Sequence, residues 1–376
     1  MSMRLANSYF VLTALVNYWA LAGCSSSSPK ATATIDNGST GGASSCSDAS
    51  ATQVPFGDFT INLVPASQGA RGSGENPAYV DIVGQIYDGP SPEPFIETML
   101  PAPPDATPGC AVYAESTPSC ANIGGCGIGS SDAACAGTAC ICVATDTCQA
   151  YPIKKNAGTV TVSGIAETSG AKAFQLVNVS NSYQEPDTLA YPGFAEGDTI
   201  TISSACGDYA PFEISAKGVS PLKLTNGPPF TLLRDSASAD PTQYQAFTIT
   251  WDPPGSAGDG GAHVDTRIQV VIDLAHHAGS VGHLACDVED NGSLTISAGQ
   301  ISQLSGLGNI AGYPELDVIR STSTTLETAR GEVNLAIESS IIAPDLRIDG
   351  YISCTLASDC PSGQMCNSAK KLCQPG

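Results

Sequence analysis

Short alternating segments, separated by turn-forming residues, constrain the fold of this chain more than any other feature. Residues 56–64 (FGDFTINLV) and 79–87 (YVDIVGQIY) alternate apolar and polar side chains, which is typical of strands with one buried face. Similar segments recur densely after residue 158, at 158–167, 173–180, 198–205, 245–251, 266–274, 293–298, 315–323 and 332–340. Clusters of Gly, Pro, Asn and Asp stand between them. Only residues 297–306 (SAGQISQLSG) have the pattern of a short helix.

The fold class follows from this density of strands. Hydrophobic residues make up 42% of the 376 residues, and 39 Gly and 26 Pro favour many turns over long helices. One sheet cannot bury so much alternating Val, Ile and Leu, whereas two packed sheets can. We therefore predict a mainly β chain, an antiparallel β-sandwich with a disulfide-rich insert and a small disulfide-rich C-terminal knob.

The N-terminus carries the pattern of an export signal. Arg4 precedes an apolar run of 14 residues, Tyr9–Ala22, which is shorter than the roughly 20 residues that span a bilayer. The run ends in Leu21-Ala22-Gly23-Cys24, which resembles the bacterial lipobox. The resemblance implies cleavage before Cys24 and lipidation of that cysteine, which anchors the chain to a membrane. Ser25 stands where Asp retains many lipoproteins in the inner membrane, so the resemblance implies the outer membrane.

The cysteine count indicates an oxidising compartment. Fifteen cysteines are present, and setting Cys24 aside as a lipid acceptor leaves 14, the even number that a disulfide framework requires. One consistent partition pairs Cys206 with Cys286 and closes two bridges within the last four cysteines, while Cys46 completes the insert to eight. Eight cysteines allow 105 pairings, so the connectivity stays open. The candidate disulfide cysteines are Cys46, Cys110, Cys120, Cys126, Cys135, Cys140, Cys142, Cys148, Cys206, Cys286, Cys354, Cys360, Cys366 and Cys373.

The C-terminal segment has a regular cysteine spacing. Residues 354–376 (CTLASDCPSGQMCNSAKKLCQPG) follow the pattern C-x5-C-x5-C-x6-C. This resembles the small disulfide repeat of Dickkopf type, which occurs in secreted proteins and bacterial envelope lipoproteins. The resemblance implies a structural or protein-binding knob. A zinc site is the alternative, but the paired C-x2-C of zinc ribbons is missing.

We predict six segments along the chain. The Ser-, Thr-, Ala- and Gly-rich composition after Cys24 has no apolar period and therefore predicts a tether. The segments are a lipoprotein signal peptide (1–23), a flexible tether (24–53), an N-terminal β segment (54–109), a cysteine-rich insert (110–150), the main β-sandwich (151–353) and a cysteine-rich C-terminal repeat (354–376).

Two groups of residues could bind a metal ion. Three of the four histidines, His276, His277 and His283, follow the strand that ends at Leu274, and His263 precedes it. With Asp265 or Asp273 they could form a site, but a polar hairpin loop is the favoured interpretation. Alternating carboxylates and an amide in a second group, Asp287, Glu289 and Asn291, begin like a calcium loop. Ala298 occupies the twelfth position, where a Glu is needed, so we favour a hairpin that turns at Asn291-Gly292. We predict no cofactor and no metal site.

Charge and missing motifs limit the function. The formal net charge of −21 argues against nucleic acid as a partner. The chain has no nucleophile elbow, no H-E-x-x-H helix and no Walker loop. We therefore predict a non-enzymatic, surface-displayed outer-membrane lipoprotein, structural or ligand-binding, with an envelope protein or polysaccharide as partner. The alternatives are an extracellular hydrolase or carbohydrate-active enzyme on a sandwich scaffold, and a calcium-dependent adhesion module.

Overall fold

The fold is described from a computed structural model, and it confirms the predicted class. The protein is mainly β, with sandwich-like packing of its sheets, a disulfide in the insert and two near the C-terminus. The structure describes residues 56–68, 75–89, 91–93, 95–118, 120, 140–143, 145, 147–186, 188–240, 242–255, 264–275, 280–308, 310, 314–328, 331–342 and 346–375.

The described residues form 25 strands and one α-helix. The first strands are β1 (Phe56–Val64), β2 (Ser67–Gln68), β3 (Glu75–Asn76), β4 (Tyr79–Tyr87), β5 (Ile96–Met99), β6 (Cys110–Ser116), β7 (Cys140–Val143), β8 (Thr147–Ala150), β9 (Lys154–Lys155), β10 (Val160–Ser163), β11 (Ala173–Gln175), β12 (Val177–Val179) and β13 (Ser182–Gln184). They are followed by β14 (Thr199–Ser204), β15 (Glu213–Lys217), β16 (Phe230–Leu232), β17 (Phe247–Thr250), β18 (Arg267–Asp273), β19 (Gly282–Glu289), β20 (Ser293–Ile296), helix α1 (Ala298–Gly306), β21 (Glu315–Thr328), β22 (Gly331–Ile342), β23 (Leu346–Ile348), β24 (Gln364–Asn367) and β25 (Leu372–Pro375). Every segment predicted as a strand contains one, and the predicted helix is α1.

One large sheet forms the framework. Its strand order is β12-β13-β4-β1-β22-β21-β18-β19-β6-β5, and β9 adds to β4 as the eleventh strand. Most neighbours run antiparallel, as predicted, but β1 and β22 run parallel. This parallel pair joins the first strand of the described residues to the last long strand of the sheet. Among the described residues, no helix is long and apolar enough to cross a membrane.

Two smaller layers cover one face of the large sheet, here called the inner face. The four-stranded sheet β11-β10-β14-β15 covers β1, β4 and β22. Alternate residues of these strands, including Phe59, Ile82 and Leu335, meet Val162 and Ile202 in a fully buried core. Beyond it, β16, β17, β20, β23 and α1 cover the inner face of β18, β19 and β6. The opposite face of the large sheet, the outer face, carries the alternate polar residues.

Helix α1 begins directly after its capping residue, Ser297. The side chain of Ser297 accepts a hydrogen bond from the amide of Gln300, which satisfies one free N–H of the first turn. The buried side chain of Gln300 also binds the start of β6, because it donates to the carbonyl of Cys110 at 2.9 Å. The helix therefore holds β6 in place from the inner side.

The hairpin predicted around Asn291-Gly292 is wrong. The turn is present, and Gly292 has a φ of 96°. The strands on either side of it nevertheless pair with different partners, since β19 pairs with β18 and β6 while β20 pairs with β17. The chain crosses here from the large sheet to its covering layer.

The predicted pairing of Cys206 with Cys286 is also wrong. Cys286 on β19 is bonded to Cys110, its direct partner on β6. Cys206 follows β14 in the smaller sheet and is disulfide-bonded elsewhere, as are Cys140 and Cys148. Cys120 pairs with Cys142 in the insert. Cys46, Cys126 and Cys135 lie outside the described residues.

The C-terminal knob is confirmed. Two bridges, Cys354–Cys366 and Cys360–Cys373, cross-link a two-stranded sheet of β24 and β25. The sulfurs of three of these cysteines lie close enough to bind one ion, but all are engaged in disulfides.

Candidate functional site

The outer face of the large sheet brings together a histidine and two glutamates near its β5 edge. Glu97 lies on β5, Glu115 on β6 and His283 on β19, three strands that are direct neighbours. Their ligand atoms all lie within 4.8 Å of one another. We call these three residues the edge cluster.

His283 is held firmly within this cluster. Its Nδ1 lies 2.6 Å from Oε1 of Glu115, and the two side chains are only 8% and 13% exposed. The imidazole ring also stacks on Tyr113, with ring centroids 5.2 Å apart and an interplanar angle of 17°. These contacts fix the orientation of both side chains before any ligand arrives.

Glu97 completes the edge cluster from the solvent side. It is exposed on the edge strand and is the direct cross-strand partner of Glu115. Two carboxylates in this arrangement repel each other. The cluster therefore combines a buried nitrogen ligand with two carboxylates, one sheltered and one open to solvent.

A disulfide also joins two strands of the edge cluster, three residue pairs along from His283. Cys110 and Cys286 join β6 and β19, with Cα atoms 4.0 Å apart. Both side chains point to the inner face, since they pack in the hydrophobic core between β18, β19 and β6 and the layer that covers these strands. The bond thus fixes the register in which Glu115 and His283 meet on the opposite face.

A second pair of carboxylates faces each other on the neighbouring strands β18 and β21. Asp273, at the end of β18, is the direct partner of Glu315 on β21. Asp273 also lies one residue beyond Ile272, whose partner is Leu284, the neighbour of His283. Burial raises the pKa of Glu315, and the charge of Asp273 raises it further. Two more carboxyl groups therefore lie on β18 and β21, beside the strand that carries His283.

The middle of the outer face carries another polar surface, which we call the central face. It consists of the outward residues of β4, β1 and β22. Asp58 on β1 is paired with Gln85 on β4 and with Asn334 on β22. Asn62 repeats the arrangement with Asp81 and Glu338 as partners. Hydrogen-bonding side chains thus form two parallel rows across three strands.

The pKa values of two carboxyls of the central face are shifted towards neutral pH. Burial raises the pKa of Asp58 to about 6, although a hydrogen bond with the Asn334 side chain opposes the shift. Burial also raises the pKa of Glu338 to about 7, and the charge of Asp58 adds to this effect. At neutral pH, Glu338 therefore exists in both protonation states and can both donate and accept hydrogen bonds.

Tyrosines flank the central face. Tyr79 lies at one end of β4 and is 51% exposed, and Tyr87 lies at the other end. The hydroxyl of Tyr87 donates to the side-chain oxygen of Gln85. An exposed ring at the end of a polar row offers a stacking surface beside hydrogen-bonding groups.

Most of the predicted site residues do not meet. His263, His276, His277 and Cys24 lie outside the described residues. Of the calcium candidates, Asp287 accepts a hydrogen bond from Nε of Arg267 at 2.8 Å, and Asn291 accepts one from the amide of Ser293 at 3.2 Å. Glu289 is exposed at the end of β19, and Asp265 is exposed before β18.

The partners of His283 were missed from the sequence. Glu97 stands in the predicted N-terminal β segment (54–109), and Glu115 stands in the predicted cysteine-rich insert (110–150), 168 residues before His283. The alternation in CAVYAES (110–116) was the available signal for a strand. The pairing with β19 could not be read from it, because strand partners are not encoded locally.

Comparisons with known proteins identify no relative of this chain. No protein-family model matches the chain, and no curated protein is significantly similar to it. The class is therefore defined by the structure alone, as a disulfide-linked β-sandwich with polar surfaces on the outer face of its large sheet.

Proposed function

We propose that this protein is a non-enzymatic, lipid-anchored envelope protein that binds a glycan on its central face. The observation that carries the proposal is the register of polar side chains there, with Asp58 between Gln85 and Asn334. A second row, centred on Asn62, repeats this pattern. Such rows match the regular spacing of hydroxyl groups along a polysaccharide.

The chemistry of the central face suits neutral hydroxyl groups. Carboxylate and amide oxygens accept hydrogen bonds from hydroxyls, while amide N–H groups and a protonated carboxyl donate to them. Glu338, with its pKa raised to about 7, supplies both modes at neutral pH. Tyr79 adds an exposed ring for stacking against the apolar face of a sugar. The net charge of −21 disfavours anionic glycans.

The anchor and the disulfides support an extracytoplasmic location. Eight described cysteines form four bridges, which persist in oxidising compartments. The lipobox-like sequence that ends at Cys24 supplies a membrane anchor, and the outer membrane is the proposed site. A protein partner would use the exposed C-terminal knob, where Leu356 and Met365 are 65% and 61% exposed.

Affinity electrophoresis tests the proposed glycan binding. The oxidised protein is run through gels that contain mannan, β-glucan or soluble chitin oligosaccharides, with polygalacturonate as the anionic comparison. We expect retardation by a neutral glycan and about 3- to 10-fold weaker binding by Tyr79→Ala, since the stacking of one ring is lost. Tyr151→Ala is the matched control, because both tyrosines are 51% exposed. Equal behaviour of the two variants, or no retardation at all, contradicts the proposal.

Glycan hydrolysis is the second candidate function. Acid-catalysed glycoside cleavage uses a carboxyl with a raised pKa together with a second carboxyl, and the central face offers Glu338 and Asp58, whose charge raises the pKa of Glu338 further. Release of reducing ends from a bound glycan, abolished in Glu338→Gln, would support this function. Binding without release would leave the non-enzymatic function in place.

A further inference from the structure

We propose that the edge cluster, Glu97, Glu115 and His283, is a divalent transition-metal site that cross-links the edge of the large sheet. This inference concerns a different surface from the central face and does not depend on glycan binding. It rests on the position of three ligand-type side chains on three adjacent strands.

Electrostatic repulsion is the first argument. Glu97 and Glu115 are direct cross-strand partners on one face, an arrangement that is destabilising for like charges. Nδ1 of His283 lies 2.6 Å from Oε1 of Glu115. Asp273 and Glu315, on the neighbouring strands β18 and β21, are a second pair of facing carboxylates. A cation bound between the two glutamates would offset this repulsion.

Ligand geometry is the second argument. Two ligands of one zinc ion, each about 2.0–2.2 Å from the metal, are separated by no more than about 4.4 Å. The ligand atoms of the edge cluster fall within 4.8 Å of one another, so small rotamer shifts bring all three onto one ion. The ion would replace the hydrogen that joins Nδ1 of His283 to Glu115. Because Glu97 is exposed, solvent completes the coordination from outside.

Preorganisation is the third argument. Stacking on Tyr113 fixes the imidazole, and the Cys110–Cys286 bond fixes the register of β6 against β19. Only Glu97 must move, and it sits on an exposed edge strand. When the ligands are already positioned, ordering them on metal binding costs little free energy.

The ligand set selects the metal. Imidazole nitrogen with carboxylate oxygen suits zinc and related transition ions, whereas calcium requires six to eight oxygen ligands. We therefore expect one Zn²⁺ per chain, with Ca²⁺ and Mg²⁺ much weaker. The bound ion should also protect the amides of β5 (Ile96–Met99) from hydrogen exchange, because it ties this edge strand to β6 and β19.

Isothermal titration with ZnCl₂ tests the site, on oxidised protein freed of metal by chelation. Glu97→Gln is the central variant, since it replaces an exposed carboxylate by a neutral amide of the same shape, and it should lower the affinity at least about 10-fold. Glu93→Gln is the matched control, an exposed glutamate four residues away. A double variant, His276→Asn with His277→Asn, removes two histidines that are adjacent in the sequence and could bind zinc by themselves. His283→Gln should abolish binding.

The outcomes separate the proposal from its alternatives. Loss of zinc binding and of β5 protection in Glu97→Gln, with both retained in Glu93→Gln and in the double variant, supports the site. Equal zinc affinity in wild type and Glu97→Gln overturns it, and leaves His283 and Glu115 as a structural pair. Loss of binding in the double variant alone also overturns it. Glycan binding is measured separately on the central face, so either proposal can fail without the other.

Discussion

Arg320 and Asp290 form an ion pair in the interior of the protein, with Nε and Oδ2 2.6 Å apart and side chains 1% and 2% exposed. Arg320 points to the inner face of β21, between the two hydrophobic cores. Asp290 also accepts hydrogen bonds from Nε1 of Trp251 and from the hydroxyl of Thr266, at 2.6 and 2.7 Å. The guanidinium further donates to Ser220, in the segment that links the two covering layers. The pair thus connects the large sheet to both layers.

Removing Arg320 should therefore be severely destabilising. Arg320→Ala leaves the charge of Asp290 buried without its partner, and we expect the free energy of unfolding to fall by about 3–5 kcal/mol. Urea denaturation measures the change. Lys223→Ala is the control, because it breaks the exposed Lys223–Asp252 pair, which is worth about 1 kcal/mol or less. A comparable loss in both variants would show that the buried pair has no special role.

The Cys110–Cys286 bond should contribute strongly to stability. It closes a loop of 176 residues, and its removal in the Cys110→Ala, Cys286→Ala variant should cost about 2–4 kcal/mol. The control removes Cys360–Cys373, which spans only 13 residues within the separate C-terminal knob. We expect the main thermal transition to shift for the first variant and to stay unchanged for the second. A shift of the main transition for the second variant and none for the first would contradict this prediction.

Stability should depend on pH through Glu338. Its pKa is raised in the folded state from 4.5 to about 7, so between these values the folded chain binds more protons than the unfolded chain. Its contribution to stability is thus complete below pH 4.5 and is lost as the pH rises through 7. Glu338→Gln should raise the free energy of unfolding at pH 8 by about 3 kcal/mol relative to its effect at pH 4.5. Urea denaturation at both values tests this.

Glu213→Gln is the control for that experiment, because Glu213 is an exposed carboxylate on β15. It should change stability equally at both pH values. A pH-independent effect of Glu338→Gln would contradict the predicted direction of the pKa shift.

Gly84 should tolerate no side chain. A Cβ at this position on β4 would lie 2.3 Å from the ring of Phe59, which crosses over the glycine on the inner face. Gly84→Ala should therefore lower the free energy of unfolding by about 1–3 kcal/mol, as measured by chemical denaturation. Gly89→Ala is the control, since nothing lies within 4 Å of its Cβ position. Combining Gly84→Ala with Phe59→Leu should recover part of the loss, and no recovery would argue against this clash.

The lipid anchor has a direct test at Cys24. Cys24→Ser removes the thiol that carries the lipid, so we expect the variant to remain unprocessed and to lose its lipid modification. Metabolic labelling with a fatty acid, followed by mass determination, measures both effects. Normal labelling and processing of the variant would overturn the lipobox interpretation.

Local patterns were sufficient to predict many of the strands and the helix, but not β5 or β6. Alternation in FGDFTINLV and TRIQVVIDL identifies β1 and β18, and a helical period identifies α1. These features depend on residues close in sequence, whose side chains must share one face. The cysteine spacing of the last 23 residues likewise indicated a separate cross-linked knob.

Which strands and which cysteines pair with each other was not predictable from local patterns. The turn at Asn291-Gly292 has hairpin chemistry, yet it connects strands of two sheets. Cys286 meets Cys110 rather than Cys206, because β6 inserts beside β19 and places the two cysteines directly opposite each other. Both outcomes depend on contacts between segments that lie far apart in the chain.

The sequence by itself determined the strand-rich class, the short helix, the C-terminal knob and the face on which each side chain lies, because these follow from periods of two and 3.6 residues. Only the tertiary structure decided which polar residues meet. Glu97, Glu115 and His283 converge because β5, β6 and β19 are neighbours, and Asn62 lies opposite Glu338 because β1 pairs with β22. The reason is physical: strand pairing is set by long-range burial of the apolar faces, and the polar faces acquire their neighbours as a consequence.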